Sequence, residues 1–134
     1  RELGLPVVFT GESPEGPIAR IRALMQTPSA SAAGQTSLRE LAALYRKASV
    51  LLTTDSGPMH LAAAVGTPVV ALFGPTSPDR TGPYGEGHVV IRRDLHCSPC
   101  FRKACKTREC MQAIGVDEVF EAVREGTRNR SASR

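Results

Sequence analysis

Asp55, Ser56, Gly57, Pro58 and His60 combine residue type and spacing into a binding chemistry. They follow Val50-Leu51-Leu52, an apolar β-favouring run too short for a helix, and lead into Leu61-Ala62-Ala63-Ala64. Pro58 suits the first turn of a helix, where a backbone N–H has no partner to lose, so Ser56 or Gly57 sits at the cap. The free N–H groups of that turn point back toward the strand end. A helix N-terminus at the carboxyl edge of a strand is a site for phosphate. Gly57 lets a ligand approach the backbone, Ser56 adds a hydroxyl donor, and Asp55 can accept hydrogen bonds from sugar hydroxyls. His60, three residues past Gly57, shares the face of the first turn. The same pattern also describes an ordinary turn in which Asp55 and Ser56 merely cap the helix and His60 packs against backbone.

The elements that would position this turn are readable on either side of it. A second strand, 68–73 (Pro68-Val69-Val70-Ala71-Leu72-Phe73), runs into a glycine loop, Gly74-Pro75-Thr76-Ser77-Pro78-Asp79-Arg80. Two polar loops thus follow two buried strands on one edge of a parallel sheet. Upstream, Val7-Val8-Phe9 reads as a strand ending at Gly11, and Ile18, Ile21, Leu24 and Met25 recur at helical spacing. The small, polar stretch 27–36 is a connection, with room for a very short strand. Ser37 and Glu40 form a capping box for a helix that buries Leu38, Leu41, Ala42, Leu44 and Tyr45 and ends near Lys47. A strand is expected at 88–92 and a final helix from Asp117, which caps it, with Val119, Phe120 and Val123 turned inward. Strands alternate with helices and are apolar rather than alternating, which gives an α/β fold with a buried parallel sheet and helices on both faces.

Two motifs together carry a family resemblance. Thr54-Asp55-Ser56-Gly57-Pro58-Met59-His60-Leu61-Ala62, followed by Gly66-Thr67-Pro68-Val69-Val70-Ala71-Leu72-Phe73-Gly74-Pro75-Thr76, resembles the donor-domain signature of glycosyltransferase family 9, the ADP-heptose:lipopolysaccharide heptosyltransferases. Pro83-Tyr84-Gly85 and the segment from Cys97 to Cys110 resemble the heptosyltransferase II branch most. The resemblance runs from about Val7 to Val123. It implies a Rossmann-like domain, the C-terminal half of a GT-B fold, over 1–128, with 129–134 as a disordered tail. It also implies that the domain lacks a first strand and helix, and with them a phosphate-contacting lysine.

The function implied is transfer of heptose from ADP-heptose, with inversion, to the lipopolysaccharide inner core. The catalytic base would be an aspartate on an absent N-terminal domain, so no residue here is assigned as catalytic and this chain alone is expected to be inactive. By the same resemblance Thr54, Asp55, Ser56, Gly57, Pro58, Met59 and His60 bind the donor, Asp55 at the heptose hydroxyls and the helix turn at the diphosphate. Glu15, four residues after Gly11, binds the ribose hydroxyls, although an acid at a helix start is equally favoured by the helix dipole. Gly34, Gln35 and Thr36 form the wall beside the adenine. Gly74, Thr76 and Arg80 are either a cleft loop or braces of that loop. ADP-heptose is the donor substrate and no cofactor is required, because backbone donors meet the leaving diphosphate without a metal. The implied setting is cytoplasmic, or the cytoplasmic face of the inner membrane, in peripheral contact with it. The acceptor is the lipopolysaccharide core, held through the N-terminal domain.

Cys97, Cys100, Cys105 and Cys110 are close enough in sequence to hold zinc or an iron–sulfur cluster. The second half lacks a paired C-x-x-C, so reduced thiols remain the other reading. The net charge of +4 concentrates at Arg92, Arg93, Arg102, Lys103, Lys106 and Arg108 and at the C-terminal arginines. Two rival functions follow: a GT-B glycosyltransferase or epimerase with another nucleotide sugar, and a cysteine-rich metal-bound adaptor or nucleic-acid module. The absence of Trp argues against a base-stacking platform and no nucleic-acid partner is expected. The chain opens on Arg1 with no signal sequence and no membrane-spanning stretch, and so reads as part of a longer protein.

Overall fold

A computed structural model describes residues 2–132 of the protein. Eleven elements follow one another: β1 (Val7–Phe9), α1 (Pro17–Leu24), β2 (Ser29–Ser31), α2 (Leu38–Lys47), β3 (Leu51–Thr54), α3 (Gly57–Ala64), β4 (Val69–Leu72), α4 (Pro78–Thr81), β5 (Val89–Ile91), α5 (Glu109–Gln112) and α6 (Val116–Ala132). The chain divides into two compact units, Arg1–Leu41 and Ala42–Arg134. All strand pairings are parallel, as expected for α/β. The expected single sheet is instead two hydrogen-bonded sheets, β1-β2 and β3-β4-β5. β2 is only Ser-Ala-Ser, three residues with no apolar side chain larger than a methyl to bury, and it pairs with β1 alone.

In the second unit the core is built on β4. Val69, Val70 and Ala71 are all buried, so both faces of that strand are covered. Val70 and Leu72 share one face with Val89 and Ile91 of β5 and pack against Val119, Ala122 and Val123 of α6. The opposite face carries Val69 and Ala71, and α3 packs on β3 and β4 with Met59 and Ala62 fully buried. Burying a side chain such as Met59, Phe73 or Val70 is worth about 1.5–3 kcal/mol each. The buried Thr67 hydroxyl donates to the Tyr45 carbonyl at 2.6 Å, fixing the end of α2 to the entry of β4.

Several expectations are corrected. Leu38 is 72% exposed rather than buried, because it opens α2 and the helix turns Tyr45 into the core instead. In the first unit no residue of α1 is buried, and Ile21, Leu24, Val7 and Val8 are exposed. Asp117 lies inside the first turn of α6 rather than at its cap. Arg93 holds that turn, pairing with Glu118 and donating from Nε to the Ala113 carbonyl at 3.0 Å. The tail expected to be disordered from 129 continues α6 as far as Ala132, and 133–134 lie outside the described residues. Its ordering has a clear source: the Arg130 guanidinium donates to the carbonyls of Gly66 and Arg46, and Gly126 sits against Val50 and Pro68. The short helices α4 and α5 were not foreseen, since four residues show no helical period.

The capping box forms as read. The Ser37 N–H donates to Glu40 Oε2 at 2.7 Å and the Glu40 N–H to Ser37 Oγ at 3.3 Å. The Ser37 N–H and the Ser37 hydroxyl, which also donates to Glu40 Oε2 at 2.7 Å, hold the Glu40 carboxyl below its usual range, the backbone bond contributing most. A carboxyl lowered by folding stabilises the folded state above its unfolded pKa and loses that contribution as pH falls through the folded value. Ser37→Ala is expected to lower the urea midpoint at pH 7, because the cap bonds are lost. The difference between variant and parent should shrink as the pH is taken below 4.5.

Candidate functional site

Each unit presents loops at the carboxyl end of its parallel strands. In the first unit, 10–16 follows β1 and 32–37 follows β2. Backbone bonds tie the two loops together, from the Ala32 N–H to the Phe9 carbonyl and from the Gly34 N–H to the Gly11 carbonyl, both 2.8 Å. Gly34 has φ +70°, and a Cβ there would stand 2.9 Å from the Glu12 carbonyl oxygen, so only glycine permits this approach. Glu15 and the Gly34–Gln35–Thr36 stretch thus belong to one sheet edge. Glu15 is exposed and precedes Gly16, the N-cap of α1, whose first turn contains no acid. It stands one residue before the N-cap, at the entry to the helix rather than within its first turn.

In the second unit, β3 ends at Thr54 and α3 begins at Gly57, with Ser56 as an extended N-cap. The Ser56 hydroxyl does not cap the helix. It donates to the Thr54 carbonyl at 3.1 Å and meets Thr53 Oγ1 at 3.2 Å, which turns it away from the hydroxyl-donor role expected of it. Pro58 has no N–H to offer, and the Met59 N–H donates to the Ser56 carbonyl at 3.1 Å. A Cβ on Gly57 would have nothing within 4 Å, so open space lies over the turn. Asp55 is half-buried and His60 is exposed, whereas Met59 is fully buried and acts as core. Pro58 occupies the first helical turn as the spacing implies.

The β4–α4 loop shares this edge, and Asp55 is bound to it. The Thr81 hydroxyl, at the end of α4, donates to Asp55 Oδ2 at 2.8 Å. Sequence reading missed Thr81, because nothing in the local pattern links positions 26 apart. Gly74, Thr76 and Arg80 are placed by the cysteine segment behind them. The Cys100 and Phe101 N–H groups donate to the Pro75 carbonyl at 3.0 and 2.7 Å, and the Ser98 hydroxyl donates to the Gly74 carbonyl at 2.8 Å. The Arg80 guanidinium lies over the Phe101 ring, 4.9 Å from its centroid, an arrangement that favours the cation. A Cβ on Gly74 would meet Met111 Sδ at 2.7 Å and Cys110 Sγ at 3.3 Å. The segment from Cys97 to Cys110 is therefore a brace for this loop.

All four cysteines are free. Among the described residues no three Cys, His, Asp or Glu side chains come together as a metal-ligand group. Two concavities, about 610 Å³ lined from Arg22 to Ser29 and about 440 Å³ beside Tyr84, His88 and Arg130, contain none of the candidate residues. Helix-end sites are open turns rather than cavities, so the chemistry of the residues is the better guide.

The model of glycosyltransferase family 9 (heptosyltransferase) matches residues 1–111. The chain belongs to this family. It is 34% identical over 98 residues to lipooligosaccharide heptosyltransferase 2 of Campylobacter jejuni, covering 71% of this chain and 31% of that protein. It is 47% identical over 60 residues to lipopolysaccharide heptosyltransferase 2 of Escherichia coli K12, covering 45% of this chain and 17% of that protein. Among solved structures, Escherichia coli ADP-heptose lps heptosyltransferase II superposes with a TM-score of 0.80 at 28% identity, over 97% of this chain and 38% of that one. A family 9 glycosyl transferase from Veillonella parvula superposes with a TM-score of 0.77 at 28% identity, over 96% of this chain and 38% of that one. The chain thus spans well under half the length of these relatives.

Within this family 9 chain, Cys105 is the thiol with the clearest electrostatic support. The Arg108 N–H donates to its sulfur at 3.4 Å and Thr107 Oγ1 stands 3.7 Å away. These contacts, the Arg108 bond first, hold the Cys105 thiol below its usual range, with a smaller contribution from the Arg102 charge. Because the thiolate is the reactive form, iodoacetamide is expected to alkylate Cys105 at pH 7 faster than a thiol in an unstructured peptide. Peptide mass mapping against time reads this, and an equal rate contradicts it.

Proposed function

We propose that this chain is the donor-binding part of an inverting heptosyltransferase that moves heptose from ADP-heptose to the lipopolysaccharide inner core. The observation that carries the reading is the turn between β3 and α3. It has open space above Gly57, no capping bond from the Ser56 side chain, and a half-buried carboxylate. Family membership and relatives named as heptosyltransferases supply the transferred group.

In this reading the reaction sets what each residue does. Cleavage of the anomeric C–O bond of a sugar nucleotide leaves charge on the diphosphate. Preorganised N–H donors at the start of α3 lower the barrier by meeting that charge as it develops. Asp55 accepts hydrogen bonds from the heptose hydroxyls and orients the ring for attack on the opposite face. His60 stands on the first turn as a donor to phosphate rather than as a base. In the first unit Glu15 accepts from the ribose hydroxyls, and the loop around Gly34 to Thr36 reads the base. Thr76 and Arg80 belong to the bracing loop of the cleft. The reading assigns no cofactor, no metal and no catalytic base to this chain. The base and the acceptor-binding surface belong to an N-terminal domain. The exposed Val7 and Val8 of β1 are left for a strand and helix that precede the chain in the intact enzyme.

Such an enzyme works in the cytoplasm at the inner membrane face, in peripheral contact. Among the described residues no helix is long and apolar enough to cross a membrane.

Two outcomes test the reading in the intact enzyme. Asp55→Ala is expected to lower turnover of ADP-heptose at least tenfold while the variant remains folded, as read by circular dichroism. Parent rates in that variant would remove Asp55 from the site. Glu15→Ala is expected to weaken ADP and UDP alike in calorimetry, by about 1–3 kcal/mol, because the ribose is common to both. A bulky residue at Thr36 should penalise ADP selectively. Tighter binding of UDP than ADP by the parent would favour a different nucleotide sugar.

A further inference from the structure

Asp55 receives a hydrogen bond from outside its own turn, and that bond carries an assignment. The Thr81 hydroxyl lies 2.8 Å from Asp55 Oδ2 and 3.2 Å from the Ser77 carbonyl oxygen. It has one proton for two acceptors, and the closer, anionic carboxylate is the stronger of them. Both residues are half-buried, so water competes less for the bond than at an open surface.

α4 is itself held on three sides. Its Thr81 and Gly82 N–H groups donate to Ser77 and Pro78 carbonyls at 3.1 and 2.7 Å. The Ser77 cap is buried, and Arg80 is stacked on Phe101. Gly82 follows at once, where a Cβ would stand 2.5 Å from the Pro78 carbonyl oxygen, so the chain turns away tightly after Thr81. The hydroxyl is thereby delivered from a fixed element to a carboxylate on the neighbouring loop.

We propose that Thr81 is a positioning residue for the donor sugar. It occupies Oδ2, sets the plane of the Asp55 carboxylate, and leaves Oδ1 directed to accept from the sugar hydroxyls. A carboxylate turning freely about its last torsion spends part of its time in planes that miss those hydroxyls. The assignment rests on the reading of Asp55 as the sugar-binding carboxylate. Thr81 itself need not touch the substrate.

The test uses the intact enzyme with ADP-heptose and ADP as probes. Thr81→Val removes the hydroxyl at nearly constant volume, and Thr81→Ser keeps it. Thr81→Val is expected to lower kcat/KM for ADP-heptose about tenfold while leaving the Kd for ADP, which has no heptose, at the parent value. Thr81→Ser is expected to restore kcat/KM to within about twofold of the parent. In an Asp55→Ala background Thr81→Val should add no further loss, because the group it positions is gone. Equal loss of ADP binding in Thr81→Val would reveal a structural role and overturn the proposal. So would parent kcat/KM in Thr81→Val when Asp55→Ala is impaired. Parent kcat/KM in Asp55→Ala would instead overturn the reading of Asp55 on which the assignment stands.

Discussion

The parallel pairing of β3 with β4 is the constraint on which the rest of the second unit depends. Leu51 pairs with Val69, Leu52 with Val70, Thr53 with Ala71 and Thr54 with Leu72. Two parallel strands in register end at the same edge, so the segments that leave them emerge side by side. Asp55 follows the last pair on one strand and Phe73 follows it on the other. An antiparallel pairing would have sent the two loops to opposite ends of the sheet. The contact between Thr81 and Asp55 is a direct consequence of this geometry.

That edge is stiff because its supports come from different kinds of interaction. Behind it, β4 is buried on both faces, and Val69, Val70 and Ala71 are small or β-branched, which suits close packing of α3 and α6. Beside it, the cysteine segment returns over the β4–α4 loop and satisfies the Gly74 and Pro75 carbonyls with a hydroxyl and two backbone N–H groups. Phe101 and Arg108 take positive φ values of 54° and 51°, uncommon for residues with side chains. Phe101 uses that backbone state to donate its N–H to Pro75 while its ring meets Arg80.

The first unit differs in its energetics. Its strands have three residues each, and of its side chains only Ala33 is among the buried hydrophobic ones. Order comes from backbone: the ladder of β1 with β2, the bonds from Ala32 and Gly34 to the preceding loop, and the Ser37–Glu40 cap. Arg22 adds two bonds to Ser29, one to its hydroxyl at 3.1 Å and one to its carbonyl at 2.9 Å. A unit held mainly by such bonds keeps its loop geometry while leaving apolar positions such as Leu24 in solvent.

Residue type and spacing alone carried the succession of the longer strands and helices, the capping box, the turn at Asp55–Pro58 and the family resemblance. Each of these is local, written in residue type and spacing over a few positions, or in a motif such as Thr54–Ala62. It also carried the candidate residues, because a glycine, a proline and an acid in a fixed order report a backbone geometry. Which side chains meet across long separations came from the folded packing. It turned the Ser56 hydroxyl inward, brought Thr81 to Asp55, set Arg80 on Phe101 and made the cysteine segment a brace. It also exposed Leu38, carried α6 past 128 through Arg130, and divided one expected sheet into two. Periodicity records which face of an element is apolar, but not which partner that face or a single hydroxyl will find. That choice belongs to packing and to strand register, which no local stretch of residues encodes.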